Sequence, residues 1–198
     1  MKIVGLMGRE GSGKSFLGQA LLAELRSRNV RVSKLAFSTP VKAMLATLPI
    51  ENLERRLYGD LKEEPDFKVL GGKSMRHAMR TLAESWGRQM LHENIWVDCM
   101  RENLAKAEAG GMEVIVIDDV RYPNELKMIS EFHTITFAIT KPALAVVNTT
   151  VLRNFFKRKN HVSESLDLSL ADFTVENRKD LESVSSFVNR AKRLLISV

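Results

Sequence analysis

The chain has 198 residues but a single cysteine, Cys99, with only two tryptophans, two tyrosines and no long apolar run. One cysteine makes no internal disulfide, and no Cys/His cluster has the spacing of zinc ligands, so a reducing, cytoplasmic setting is expected. A membrane span needs about 20 consecutive apolar residues, and no segment approaches that. The short apolar stretch near the start runs directly into glycine-rich sequence and does not look like a signal peptide, so none is expected. Internal repeats and low-complexity linkers are absent too. Nor is charge of one sign concentrated: 30 Lys and Arg face 24 Asp and Glu, a formal net charge of +6. The one dense cluster, Lys157-Arg158-Lys159, is short, and no zinc-finger, RNP or basic-zipper pattern accompanies it. The positive excess therefore points to small phosphorylated ligands, and no stable nucleic-acid partner is expected.

What the chain does have stands close to its start. Gly8-Arg9-Glu10-Gly11-Ser12-Gly13-Lys14-Ser15 follows the apolar segment Ile3-Val4-Gly5-Leu6-Met7 and precedes a stretch of helical spacing that begins at Phe16. This is the phosphate-loop pattern G-x-x-x-x-G-K-[ST] in its confirming context, strand before and helix after. Glycines let the backbone wrap a phosphate chain with N–H groups turned inward, and the helix start adds partial positive charge. Lys14 is then expected to reach the β- and γ-phosphates of a nucleoside triphosphate, with Ser15 as a Mg²⁺ ligand.

Periodicity gives alternating strands and helices. Strands are expected near 2–7, 31–37, 112–117, 134–139 and 173–175, and helices near 14–28, 74–91, 96–109 and 181–195. Pro40 suits the first turn of a short helix, while residues 49–72 are broken by Pro49, Gly59, Pro65 and Gly71-Gly72. Near-continuous apolar strands alternating with helices predict an α/β fold, a parallel sheet covered on both faces in three layers. Ligands of such sheets bind at the carboxyl ends of the strands.

Two such strand ends carry chemistry. Val114-Ile115-Val116-Ile117 ends in Asp118-Asp119, and a buried strand closing in a carboxylate suits Mg²⁺ positioning beside a phosphate loop. Spacing does not choose between the two, and one of them can instead cap the helix after Pro123. Arg121 follows, at the mouth of the sheet where a transferring phosphate would lie; its plain alternative is an ion pair with Glu125. Further on, Arg76, Arg80, Glu84 and Arg88 recur at i,i+4 steps, with Met79, Leu82, Trp86 and Met90 opposite. Guanidinium groups so arranged can clamp a phosphate monoester or form a solvated charged face. Trp86 and Trp96 can stack on a base, although aromatics at this spacing are more often core.

Asp119-Val120-Arg121-Tyr122-Pro123-Asn124-Glu125 resembles the D-V-R-F-x-N-E segment of bacteriophage-type deoxynucleoside monophosphate kinases. Other stretches similar to that family follow in order: Phe37 to Lys42, Arg80 to Arg88, His92 to Trp96, His161 to Glu164 and Asp172 to Asn177. Residues 46–72 are least covered. The resemblance implies a P-loop kinase fold in one domain, with a helical monophosphate-binding region at about 38–110 and a small lid at about 150–166. It implies transfer of the ATP γ-phosphoryl group to a deoxynucleoside 5′-monophosphate with Mg²⁺, and the homodimer often found in similar kinases. It places Arg80 and Arg88 on motif positions, favouring the phosphate clamp, with Phe37, Lys42, Arg76 and Trp96 in the acceptor region. Arg153 and Arg158 would close over the triphosphate, Glu164 belongs to the H-x-S-E pattern, and Asn177 falls where an adenine-contacting loop would be. Thr39 stands where the family often has aspartate. A kinase resembling dephospho-coenzyme A kinase, and a nucleotide-dependent nucleic-acid module, are the alternative readings.

Overall fold

The computed structural model describes residues 1–142 and 166–196. Continuous apolar sequence makes its central strands. β1 (Lys2–Met7), β5 (Val114–Val120) and β6 (His133–Thr140) carry Ile3, Val4, Leu6, Ile115, Val116, Ile117, Phe137 and Ile139, all fully buried. With β2 (Val32–Leu35) and β7 (Phe173–Glu176) they form a five-stranded sheet in the order β2-β5-β1-β6-β7, every pairing parallel.

Helices lie on both faces, as strands of this composition require. Helix α1 (Lys14–Ser27) sets Leu17, Leu21, Leu22 and Leu25 against Val4, Leu6 and Val116. The final helix, Leu181–Ile196, brings Phe187, Val188 and Ala191 into the same cluster. On the opposite face, Ile129 at the end of helix Pro123–Ile129 lies against Gly5, where a Cβ would stand 2.9 Å from its Cδ1. The start of β7 is stitched to β6 by Asp172, whose carboxylate accepts from both the backbone N–H and the hydroxyl of Thr136 at 2.7 Å.

The chain divides into two compact units, Met1–Ala36 with Leu104–Val198, and Phe37–Asn103. The first holds the sheet. The second contains α2 (Thr39–Leu45), with proline in its first turn, α3 (Leu53–Leu57), a short antiparallel hairpin of β3 (Pro65–Asp66) and β4 (Lys73–Ser74), and α4 (Met75–Thr81). It has its own core of Val41, Leu45, Ile50, Leu57, Met75 and Trp96.

The single helix expected over 74–91 is two segments. α4 gives way at Leu82 to π-helical winding that continues to Leu91. Its last hydrogen bond runs from the His92 N–H to the Gly87 carbonyl, five residues back, at 3.0 Å. Gly87 is the reason the segment fits: a Cβ there would sit 2.4 Å from Cζ2 of the Trp96 ring. The Trp96 indole N–H in turn donates to the Ala83 carbonyl at 2.9 Å. Wider turns also shift the apolar period, and Met90, expected on the packed side, is 74% exposed. The helix after β4 and the π segment precede α5 (Ile95–Ala109), and α6 is Pro123–Ile129, which makes the terminal helix α7.

Candidate functional site

The phosphate loop joins β1 to α1, and its glycines do what their positions demand. Gly8, Gly11 and Gly13 all have positive φ, at 146°, 71° and 92°. A Cβ on Gly8 would stand 2.4 Å from the Ile139 carbonyl oxygen, and one on Gly13 would stand 2.0 Å from Asn177 Nδ2. Both sites therefore exclude side chains by contact as well as by conformation.

Inside the loop, Lys14 is 7% exposed and donates to the carbonyls of Gly8 at 2.6 Å and Arg9 at 2.9 Å. Burial first, and then the positive charge of Arg121, bring its pKa down to about 8. Asp118, Asp119 and Glu10 work in the opposite direction. An ammonium that has lost water and faces a second cation is poised for an anion to take the place of both. The Ser12 hydroxyl, in a residue 3% exposed, has no hydrogen-bond partner among the described residues. A buried donor left unmade suits a phosphate oxygen. Ser15 and Phe16 are exposed at the start of α1.

The two aspartates differ. β5 carries one residue more than β1 between the pairs Gly5↔Ile117 and Met7↔Val120, a bulge that falls on Asp118-Asp119. Asp118 is buried, with its carboxylate 2.7 Å from the Lys34 ammonium on β2. Asp119 is only half-buried. The N-cap position of α6 is Tyr122, and the helix start is held by Glu125, whose carboxylate accepts from the backbone N–H of Arg121 at 2.7 Å and of Tyr122 at 3.2 Å. In place of the ion pair that was the alternative reading of Arg121, Glu125, 2% exposed, serves as a backbone cap.

Asn177, expected beside a nucleobase, is occupied with the loop. It is 2% exposed, donates from Nδ2 to the Ser12 carbonyl at 2.9 Å, and accepts at Oδ1 from the Lys179 N–H at 3.0 Å. Lys34 and Lys141 both escaped the sequence reading. Lys141, just after β6, sets its Nζ 3.2 Å from the position of a Cβ on Gly11.

The residues expected in the acceptor region lie in the second unit. Phe37 is buried, 4% exposed, and the Lys42 ammonium sits 4.7 Å above the centre of the Tyr58 ring. Arg76 is paired with Glu63. Arg88 is paired with Glu84 at 3.5 Å, the two side chains 10% and 17% exposed, and donates to the Glu93 carbonyl at 3.1 Å. This is a largely buried network, not the solvated face that spacing allowed. Arg80 is half-buried, and Thr39 is exposed at the start of α2. Trp96, placed among the substrate-binding residues, is core: 2% exposed, with both its ring and its N–H engaged internally. Arg153, Arg158 and Glu164, the residues expected of a lid, lie outside the described residues.

A parallel sheet with a glycine loop and buried lysine at the end of its central strand defines a P-loop protein of the α/β class. Over 92 residues the chain is 32% identical to the deoxynucleoside-5′-monophosphate kinase of Escherichia phage T5. That match covers 46% of this chain and 34% of the phage protein, so it spans about a third of the relative's length. Among solved structures, the chain is similar to a sugar kinase from a Janibacter species, at a TM-score of 0.42 and 15% identity over 98% of this chain and 94% of that one. It is also similar to shikimate kinase from Aquifex aeolicus, at a TM-score of 0.44 and 17% identity over 97% and 96%. No protein-family model matches the chain. No helix of the described residues is long and apolar enough to cross a membrane.

Proposed function

We propose that the chain is an ATP-dependent kinase that phosphorylates a deoxynucleoside 5′-monophosphate, giving ADP and the deoxynucleoside diphosphate. The observation that carries phosphoryl transfer is the desolvated Lys14 ammonium inside a glycine loop, with Arg121 and the carboxylates of Asp118, Asp119 and Glu10 within its electrostatic reach. The acceptor class is supported by the D-V-R-Y-P-N-E segment from Asp119 and by the identity with the phage T5 enzyme.

An oxygen of the acceptor phosphate attacks the γ-phosphorus, and the bond from that phosphorus to the β-phosphate oxygen breaks. The attacking oxygen is already ionised near neutral pH, so no strong general base is needed and positioning with charge neutralisation does the work. In this reading the loop N–H groups, the Ser12 hydroxyl and Lys14 take the β- and γ-phosphates, while Arg121 faces the charge that develops on transfer. Mg²⁺ would be held by the Ser15 hydroxyl and the Asp119 carboxylate, a hard-oxygen set that fits the ion, with Asp118 committed to Lys34. The ion would supply charge neutralisation on the phosphates. Arg76, Arg80 and Arg88 are the guanidinium groups proposed for the acceptor phosphate, with Phe37 and Lys42 in the same unit.

The test is diphosphate formation from ATP, Mg²⁺ and each deoxynucleoside monophosphate in turn. Turnover of at least one acceptor is expected, and it should be lost in a folded Lys14→Ala variant. Turnover of dephospho-coenzyme A alone, or near-normal activity without the lysine, would overturn the reading.

A further inference from the structure

Two side chains from neighbouring strand ends reach the phosphate loop. β6 and β7 run in parallel register with Thr140 opposite Glu176, and the Asn177 N–H donates to the Thr140 carbonyl at 2.9 Å. Lys141 and Asn177 therefore leave the sheet side by side. Asn177 is spent on the loop backbone at Ser12 and packs against Gly13. Lys141 arrives at a different part of the loop: its Nζ lies 3.2 Å, and its Cε 3.8 Å, from where a Cβ of Gly11 would be.

Gly11 is in the left-handed region at φ 71° and has no side chain to keep the ammonium away. A lysine end laid against bare backbone at this point has a clear chemical consequence. The loop's N–H groups already present partial positive charge, and a full charge beside them strengthens the pull on an anion between. Lys14 approaches that anion position from inside the loop and Arg121 lies within its electrostatic reach from the end of β5. Lys141 adds a cation from the end of β6.

We propose that Lys141 is a phosphate-binding residue, its ammonium engaging the polyphosphate of a nucleoside triphosphate from the Gly11 side of the loop. This rests on the nucleotide-binding reading above and extends it to a residue that no motif marks. Sitting at an exposed strand end, Lys141 contributes a charge that salt screens more readily than that of buried Lys14.

The test compares wild type, Lys141→Ala, Lys141→Arg and Lys14→Ala by calorimetric titration with ATP at low and high salt, alongside thermal unfolding of each free protein. Lys141→Ala is expected to bind ATP about tenfold more weakly at low salt, the scale of one charge-assisted contact, and to show a shallower salt dependence. Lys141→Arg should recover most of the affinity, and the unfolding midpoint of the free protein should not move. Wild-type affinity and salt dependence in Lys141→Ala would overturn the proposal. So would a loss equal at both salt concentrations, accompanied by a lower unfolding midpoint and no recovery with arginine, since that is the signature of a loop brace. A wild type that binds no ATP, indistinguishable from Lys14→Ala, would overturn the nucleotide reading itself and Lys141 with it.

Discussion

Lys14 is charged at a cost, and pH exposes that cost. Its pKa in the free protein is about 8, held below the ordinary lysine value first by burial and then by Arg121. Below that pH the residue is protonated whether or not nucleotide is present. Above it the free protein loses the proton, while bound phosphates favour the charged form and hold it. Nucleotide binding should therefore take up a proton at about pH 9 but not near pH 7, and ATP affinity should fall as pH rises through about 8. Titration calorimetry in buffers of different ionisation enthalpy reads this directly. Buffer-independent heats at the higher pH would assign the low pKa no role in binding. The loop was legible at this scale because its chemistry fixes residue type and spacing at once. The partners of the loop were not. Asn177 meets Ser12 across 165 residues of sequence, and Lys141 is marked only by which strand ends lie side by side.

At the scale of elements, the sequence carried the strands well because β1 and the body of β5 are apolar on both faces and β6 is rich in β-branched residues, so that none has a competing pattern. The π segment was hidden, since an i,i+4 spacing suits the first turn of either winding and the two diverge only in the second, where Met90 lies. Its signature was Gly87 with Trp96 nine residues on, which only packing reveals. An alanine in an ordinary helix is worth up to about 1 kcal/mol over glycine. Here the added methyl would meet the Trp96 ring at 2.4 Å, so Gly87→Ala is expected to destabilise, by about 1–3 kcal/mol as overpacking usually does. Urea unfolding followed by tryptophan fluorescence gives the sign, and stabilisation would mean the ring yields freely. Because Arg88 follows Gly87 and keeps its Glu84 partner, the same variant should also disturb the guanidinium group most deeply embedded in this network.

At the scale of the molecule, the two units have separate hydrophobic cores, one around α1, the sheet and α7, the other around Met75 and Trp96. A non-hydrolysable ATP analogue should accordingly slow amide exchange at residues 8–16 and at the strand end near Asn177, while leaving the amides around Val41, Leu57 and Met75 unchanged. Hydrogen exchange with mass detection resolves the two sets, and uniform protection of both would tie the second core to the nucleotide. The carboxamide that steadies the loop has a consequence for the order in which competence is acquired. Translation delivers Ser12 165 residues ahead of the side chain that grips it. While those residues are being made, the nascent chain carries its phosphate-binding motif without that support. A braced loop is thus available only once residue 177 has emerged and the β7 strand has joined the sheet beside β6.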